Sequence, residues 1–215
     1  MRGSIIFSLS EIKKNNTLYL LSKGSPKDYS TVYGEENLTS IIASNLRCIF
    51  KHNRKITIHC EAMVGNGRSD IKVDMFSKEI CLVESKLIGP KSDVKLETQR
   101  AIEQLYNRYS ENNTIEGNNG IELYLIKFTY DKEFRALIKD IKNAIHTYGT
   151  RNNLEYRKLS MSECGLDFMY IEKRSEWDFS DKERKINVLV SNMEVDHKKR
   201  SSERTVNKNY FLSGK

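Results

Sequence analysis

The chain has 215 residues, 38% hydrophobic and 30% charged, with a formal net charge of +7. This is the length of one domain with enough apolar content for one compact core. Two prolines exclude a proline-rich stalk, and no apolar run approaches the ~18 residues of a membrane span.

The N-terminal stretch MRGSIIFSLSEIKKN carries an apolar run too short for a signal-peptide core, so a cytoplasmic protein with no membrane partner is expected. From Glu35 the patterning sharpens. Leu38, Ile41, Ile42, Leu46, Ile49 and Phe50 recur at helical spacing and predict an amphipathic helix over 35–50. Lys55–Glu61 alternates as a strand does, and GNGRS follows as a glycine-marked turn. Asp70–Phe76 and Ile80–Leu87 are two further strands, expected to form a hairpin with a three-residue loop at 76–78. Residues 91–110 read as a helix, Ile121–Tyr130 as a strand, and 131–148 as a helix capped by Asp131 and ended by Gly149. Leu154–Leu159 and Leu166–Glu172 read as two later strands. Beyond Lys173 the pattern weakens. Three strands, a helical crossover and a fourth strand predict a mixed α/β sheet with helices on its faces.

The cysteines Cys48, Cys60, Cys81 and Cys164 form no CxxC pair and are expected to be reduced and buried; four scattered histidines give no zinc spacing. The charge is uneven. Residues 182–215 carry nine Lys or Arg against four Asp or Glu, leaving the rest nearly balanced. A basic tail containing Lys198, Lys199 and Arg200 suits a polyanion such as nucleic acid, and equally a solvated terminus.

The chemistry is concentrated in GNGRSDIKVDMFSKEICLVESKL, residues 65–87. With Asp70 placed opposite Glu84, Asp70, Glu84 and Lys86 gather at one end of the hairpin, since alternate residues of a strand share a face. Two carboxylates on adjacent strands suit a hard divalent cation. A lysine beside them can orient or deprotonate a water that attacks a phosphate. An acid two residues before a lysine occurs seven times in the chain, so the pattern alone says little. Only Glu84 lies in an apolar strand with an aspartate expected across a hairpin. In the adjacent turn, Arg68 is a candidate phosphate contact. Glu61 reads as an exposed strand-end acid, and Lys72 and Asp74 as ion-pair partners.

Asp70 followed by Glu84-Ser85-Lys86, within a helix–strand–strand–strand–helix–strand order over roughly residues 35–130, resembles the PD-(D/E)XK nuclease superfamily. The resemblance implies a restriction-endonuclease-like three-layer α/β sandwich with an αβββαβ core. It implies Mg²⁺, with Mn²⁺ able to substitute, held by Asp70 and Glu84, with the Ser85 carbonyl as a further ligand and Lys86 assisting the attacking water. Ser69 stands where the family often has Pro. Many members carry an acid on the preceding helix, here Glu35 or Glu36; helical-wheel geometry prefers Glu35. Gln99 is similar to a glutamine used by some members. The expected organisation is an N-terminal extension (1–34), a nuclease-like domain (35–173) and a basic tail (174–215). The expected function is a Mg²⁺-dependent endonuclease of restriction or defence type, acting on DNA before RNA, and compatible with a homodimer. The alternatives are a non-catalytic nucleic-acid-binding module and an RNA- or DNA-cleaving toxin with an immunity-protein partner.

Overall fold

The computed structural model describes residues 1–15, 34–64, 67–89, 92–110, 121–130, 134–162, 165–172 and 183–193. In chain order the elements are α1 (Arg2–Lys14), α2 (Glu35–Phe50), β1 (Ile56–Val64), β2 (Gly67–Met75), β3 (Lys78–Ile88), α3 (Val94–Ser110), β4 (Glu122–Thr129), α4 (Phe134–Arg151), β5 (Leu154–Ser162), β6 (Gly165–Glu172) and β7 (Glu183–Asn192). The strands form one mixed seven-stranded sheet in the order β1-β2-β3-β4-β7-β6-β5. β1, β2 and β3 form an antiparallel meander, β3, β4 and β7 run parallel, and β6 and β5 complete the sheet antiparallel. Among the described residues no helix is long and apolar enough to cross a membrane.

Alternation along the central strands feeds two cores. Leu82, Leu125, Val188, Phe168 and Tyr170 pack with Ile102 and Leu105 of α3 and Ile141 and Ile145 of α4. On the opposite face Ile71, Val73, Val83, Tyr124, Ile126 and Phe128 pack with Ile5, Leu9 and Ile12 of α1 and Leu38, Ile42 and Leu46 of α2. The central strands are therefore apolar on both faces, the pattern of a parallel sheet between two helical layers. Each fully buried Leu or Ile stabilises the fold by roughly 1.5–3 kcal/mol. In α2, Glu35 and Glu36 sit in the first turn, where acids suit the helix dipole.

Several expectations are corrected. β7 is an interior strand of the sheet, between β4 and β6, inside the stretch expected as a tail from 174. Its apolar residues Ile186, Val188, Leu189 and Val190 are few and flanked by charge, yet all are buried. Helix α1, expected as an extension, is part of the second core, and Arg2 is bonded to the buried Asp167 of β6. Ile49, placed on the apolar face of α2, is 40% exposed. Gly149 does not end α4 but lies within it, where a Cβ would stand 2.9 Å from a ring carbon of Tyr170. Close approach to β6, not helix termination, explains that glycine; Asn153, with φ 54°, follows the helix end. Cys48 and Cys60 are exposed, whereas Cys81 is buried, and all three are free. Asp131 and Cys164 lie outside the described residues.

The hairpin register is half as expected. Ile71 opposes Val83, Lys72 opposes Leu82 and Val73 opposes Cys81, a register that sets Asp70 level with Glu84. A bulge then shifts it, pairing Asp74 with Glu79 and Met75 with Lys78. The loop is thus two residues, Phe76 and Ser77, both with positive φ (53° and 62°), as a type I′ turn requires. The bulge absorbs Ile80, so the site end keeps its alignment although the turn is shorter.

Candidate active site

The β2–β3 ladder stops at Ile71 opposite Val83, and beyond it side chains replace backbone partners. The Ser69 hydroxyl lies 3.0 Å from the carbonyl oxygens of both Ile71 and Val83. The Asp70 carboxylate accepts the Ser85 N–H at 2.6 Å. Glu35, from the first turn of α2, accepts the Leu87 N–H at 2.8 Å through Oε2. Its Oε1 lies 3.1 Å from Lys86 Nζ, and the same ammonium lies 3.0 Å from Glu84 Oε1. Three elements thus bring Glu35, Asp70, Glu84 and Lys86 into one cluster at the end of β3.

This cluster is half-buried. Glu84 is only 3% exposed, which for a carboxylate requires a compensating charge, and Lys86 supplies one. Burial, then the charge of Glu84, raises the Asp70 carboxyl from 3.8 to about 6, against the opposing pull of the Ser85 N–H and Lys86. For Lys86, burial disfavours the ammonium, but Glu84 and Glu35 together outweigh it and hold the pKa above the ordinary lysine value. Lys86 is therefore a proton donor at neutral pH. Deprotonating a water, one of the two roles the sequence suggests for it, would need the neutral amine; orienting a water or an anionic oxygen does not.

A cleft beside the cluster is lined by Glu35, Glu36, Thr39, Ser40, Cys60, Glu61 and Asp70. Glu36 is exposed and joins the site only as part of this lining. Glu61 has φ 49° and falls between the Cys60–Ile71 and Ala62–Ser69 pairs, level with Asp70. A non-glycine residue held in the left-handed region within a strand is strained, and such residues concentrate at functional sites. Arg68 is well exposed and pairs with Glu61 at 3.7 Å. Gln99 is directed elsewhere; its side-chain oxygen accepts from Arg151 at the end of α4, 3.3 Å away. Ser85 contributes its N–H, while its own hydroxyl is buried with no hydrogen-bond partner among the described residues. Lys72 pairs with Asp74 and Glu79, each at 3.4 Å. Lys198, Lys199 and Arg200 lie outside the described residues.

Sequence reasoning passed over one residue. Lys127 of β4 is fully buried, and its ammonium has no hydrogen-bond partner among the described residues. Burial pushes its pKa down to about 8, an effect opposed by Glu97 and reinforced by Lys86. The signal was present as a lone lysine inside the apolar strand IELYLIKFTY.

Among the described residues no group of three or more His, Cys, Asp or Glu side chains is arranged to hold a metal ion as it stands. Lys86 engages Glu84 and Glu35, and the Ser85 N–H engages Asp70. The donor chemistry nevertheless fits a hard divalent cation. Three carboxylates, Glu35, Asp70 and Glu84, gather around one ammonium, and burial followed by the charge of Glu84 makes the ionised form of Asp70 costly without a cation. Compared with family models, curated proteins and solved structures, the chain has no match.

Proposed function

We propose that the chain is a Mg²⁺-dependent nuclease that hydrolyses phosphodiester bonds in DNA, on a restriction-endonuclease-like core. The observation that carries this reading is the cluster itself. Lys86 lies 3.0 Å from Glu84 and 3.1 Å from Glu35, with Asp70 fixed by the Ser85 N–H beside them. The meander β1–β2–β3, the crossover through α3 and the parallel β4 are the arrangement expected of that core.

Asp70 and Glu84, with Glu35, are the residues that would hold the cation. When bound, it supplies polarisation of the phosphoryl oxygen and balances the charge that develops there. The chain's own groups do the rest. Glu35 and the Ser85 and Leu87 amides fix the end of β3, so that Lys86 is presented in one orientation. As an ammonium, Lys86 orients the attacking water or donates to a phosphoryl oxygen as negative charge builds. Asp70, largely ionised at pH 7, remains available to the cation while anchoring β2 to β3. The low exposure of Glu84 keeps water from screening these charges.

Incubation of supercoiled plasmid with the purified protein, in Mg²⁺ or in a chelator, tests the reading. Nicked or linear product that requires Mg²⁺ and is lost in Lys86→Ala supports it. DNA binding without cleavage by the wild type would favour the non-catalytic module instead.

A further inference from the structure

Lys127 and Lys86 stand opposite each other in the parallel β3–β4 register. They also share a face. Leu82 of β3 and Leu125 of β4 both belong to the core beneath α3 and α4, and alternation carries Glu84, Lys86 and Lys127 to that side. Two like charges on neighbouring strands repel unless each is compensated. Lys86 is compensated by Glu84 and Glu35. Lys127 is fully buried and its Nζ meets no hydrogen-bonding group among the described residues. The charges acting on it are Glu97 on α3 and Glu35 on α2, which attract, and Lys86, which repels. A buried ammonium without a hydrogen-bonded partner is costly, so among the described residues the fold carries a cation that no acid hydrogen-bonds.

The charge balance of the cluster indicates which anion that is. Glu35, Asp70 and Glu84 carry three negative charges and Lys86 one positive charge. One divalent cation would bring these four groups to neutrality, and a phosphodiester then adds a single negative charge. Among the described residues Lys127 is the buried cation on this face that no hydrogen-bonded acid offsets. We propose that Lys127 is the built-in counter-charge for an internal phosphodiester of the substrate, an inference that rests on the nuclease reading above. It acts through the field of a poorly solvated interior, where a fixed charge is worth more than at the surface, and need not touch the phosphate. The same balance favours a singly charged internal linkage over a terminal phosphate, which carries additional charge.

The test uses the full chain, a fluorescein-labelled 16-base-pair duplex and Ca²⁺ in place of Mg²⁺, with Lys127→Met, Lys127→Arg and Glu97→Gln compared with wild type. Lys127→Met should weaken duplex binding about tenfold, while its melting temperature equals or exceeds that of wild type because a buried unpaired charge is gone. Lys127→Arg should bind within about twofold of wild type. A 5′-phosphate on the duplex should not tighten binding. Wild-type affinity in folded Lys127→Met would overturn the proposal. So would a lowered melting temperature in both Lys127→Met and Glu97→Gln with unchanged affinity, since Lys127 would then serve Glu97 within the fold. If the wild type binds duplex in a Lys127-dependent way but leaves plasmid uncut in Mg²⁺ and in Mn²⁺, the nuclease reading fails and the counter-charge stands.

Discussion

Two regions of the sheet, the β6 end and the site end of β3, solve opposite problems. Around β6, Tyr106, Tyr148, Tyr156, Phe168 and Tyr170 form an aromatic cluster with ring centroids 5.1–6.3 Å apart, and the Tyr170 hydroxyl donates to the Ile145 carbonyl. That region gathers apolar surface and gives its buried polar atom a partner. Around the end of β3, Asp70, Glu84, Lys86 and Lys127 are gathered with Glu84 and Lys127 buried, and Lys127 has no hydrogen-bond partner among the described residues. One end holds the sheet together; the other concentrates charge that, under the proposed function, a cation and a phosphodiester would compensate. Changes at the first should therefore lower stability alone, whereas removing Asp70 or Lys127 at the second should lower activity while sparing or raising stability. Removing Lys86 should lower activity and also cost stability, by leaving Glu84 buried without the ammonium that pairs with it.

The widest separation between the two ends comes from Asp70→Ala and Lys86→Ala against Phe168→Ala. The site variants should lose at least about 10³-fold in cleavage rate, the scale of losing a preorganised charge, and should still melt cooperatively. Phe168→Ala should cost about 3–5 kcal/mol in denaturant unfolding, with the cleavage rate of the remaining folded protein unchanged. Gly149→Ala comes next, at about 1–3 kcal/mol, because its Cβ must displace the Tyr170 ring.

A pH scan sharpens the contrast further. The folded form of Asp70 binds its proton more tightly than the unfolded chain, with a pKa of about 6 against 3.8. Stability from this group is therefore greatest below about pH 4 and is lost as pH rises through about 6. Asp70→Asn, which still accepts the Ser85 N–H, should melt above wild type at pH 7.5 and converge with it near pH 4. Cation affinity, which needs the ionised carboxylate, should rise with pH through the same range. The smallest effect belongs to neither end. Arg157→Ala removes an exposed pair with Glu155 on β5, and its unfolding free energy should stay within about 0.5 kcal/mol of wild type.

What could be read from the sequence follows from which forces are local. Period-two alternation in KITIHCE and IELYLIKFTY, and helical spacing over 35–50, mark elements whose burial pattern is written in consecutive residues. The Asp70–Glu84 alignment was legible because the apolar residues around both acids admit few registers. The bulge at Ile80 was not, since Phe76-Ser77 lacks the Asn-Gly chemistry that announces a two-residue turn. β7 was obscured because its apolar core is short and bordered by Glu183, Arg184 and Lys185, so charge outweighed alternation. Its central position depends on β4 and β6, which are distant in the chain. The cluster of Glu35, Asp70, Glu84 and Lys86 was legible as a set of residue types, but the bonds from Glu35 to Lys86 and Leu87 depend on how α2 packs against the sheet. Lys127 had its signal in plain view, a single charge in an apolar strand, and its meaning came only from the neighbouring strand.

Mn²⁺ titration calorimetry on the full chain at pH 7.5, comparing wild type with Asp70→Ala, tests the central claim most directly. If the acid cluster is a cation site for phosphodiester chemistry, the wild type binds Mn²⁺ saturably, and Asp70→Ala loses that binding while remaining folded. Equal heats from the two folded proteins, or no saturable binding by the wild type, would contradict it.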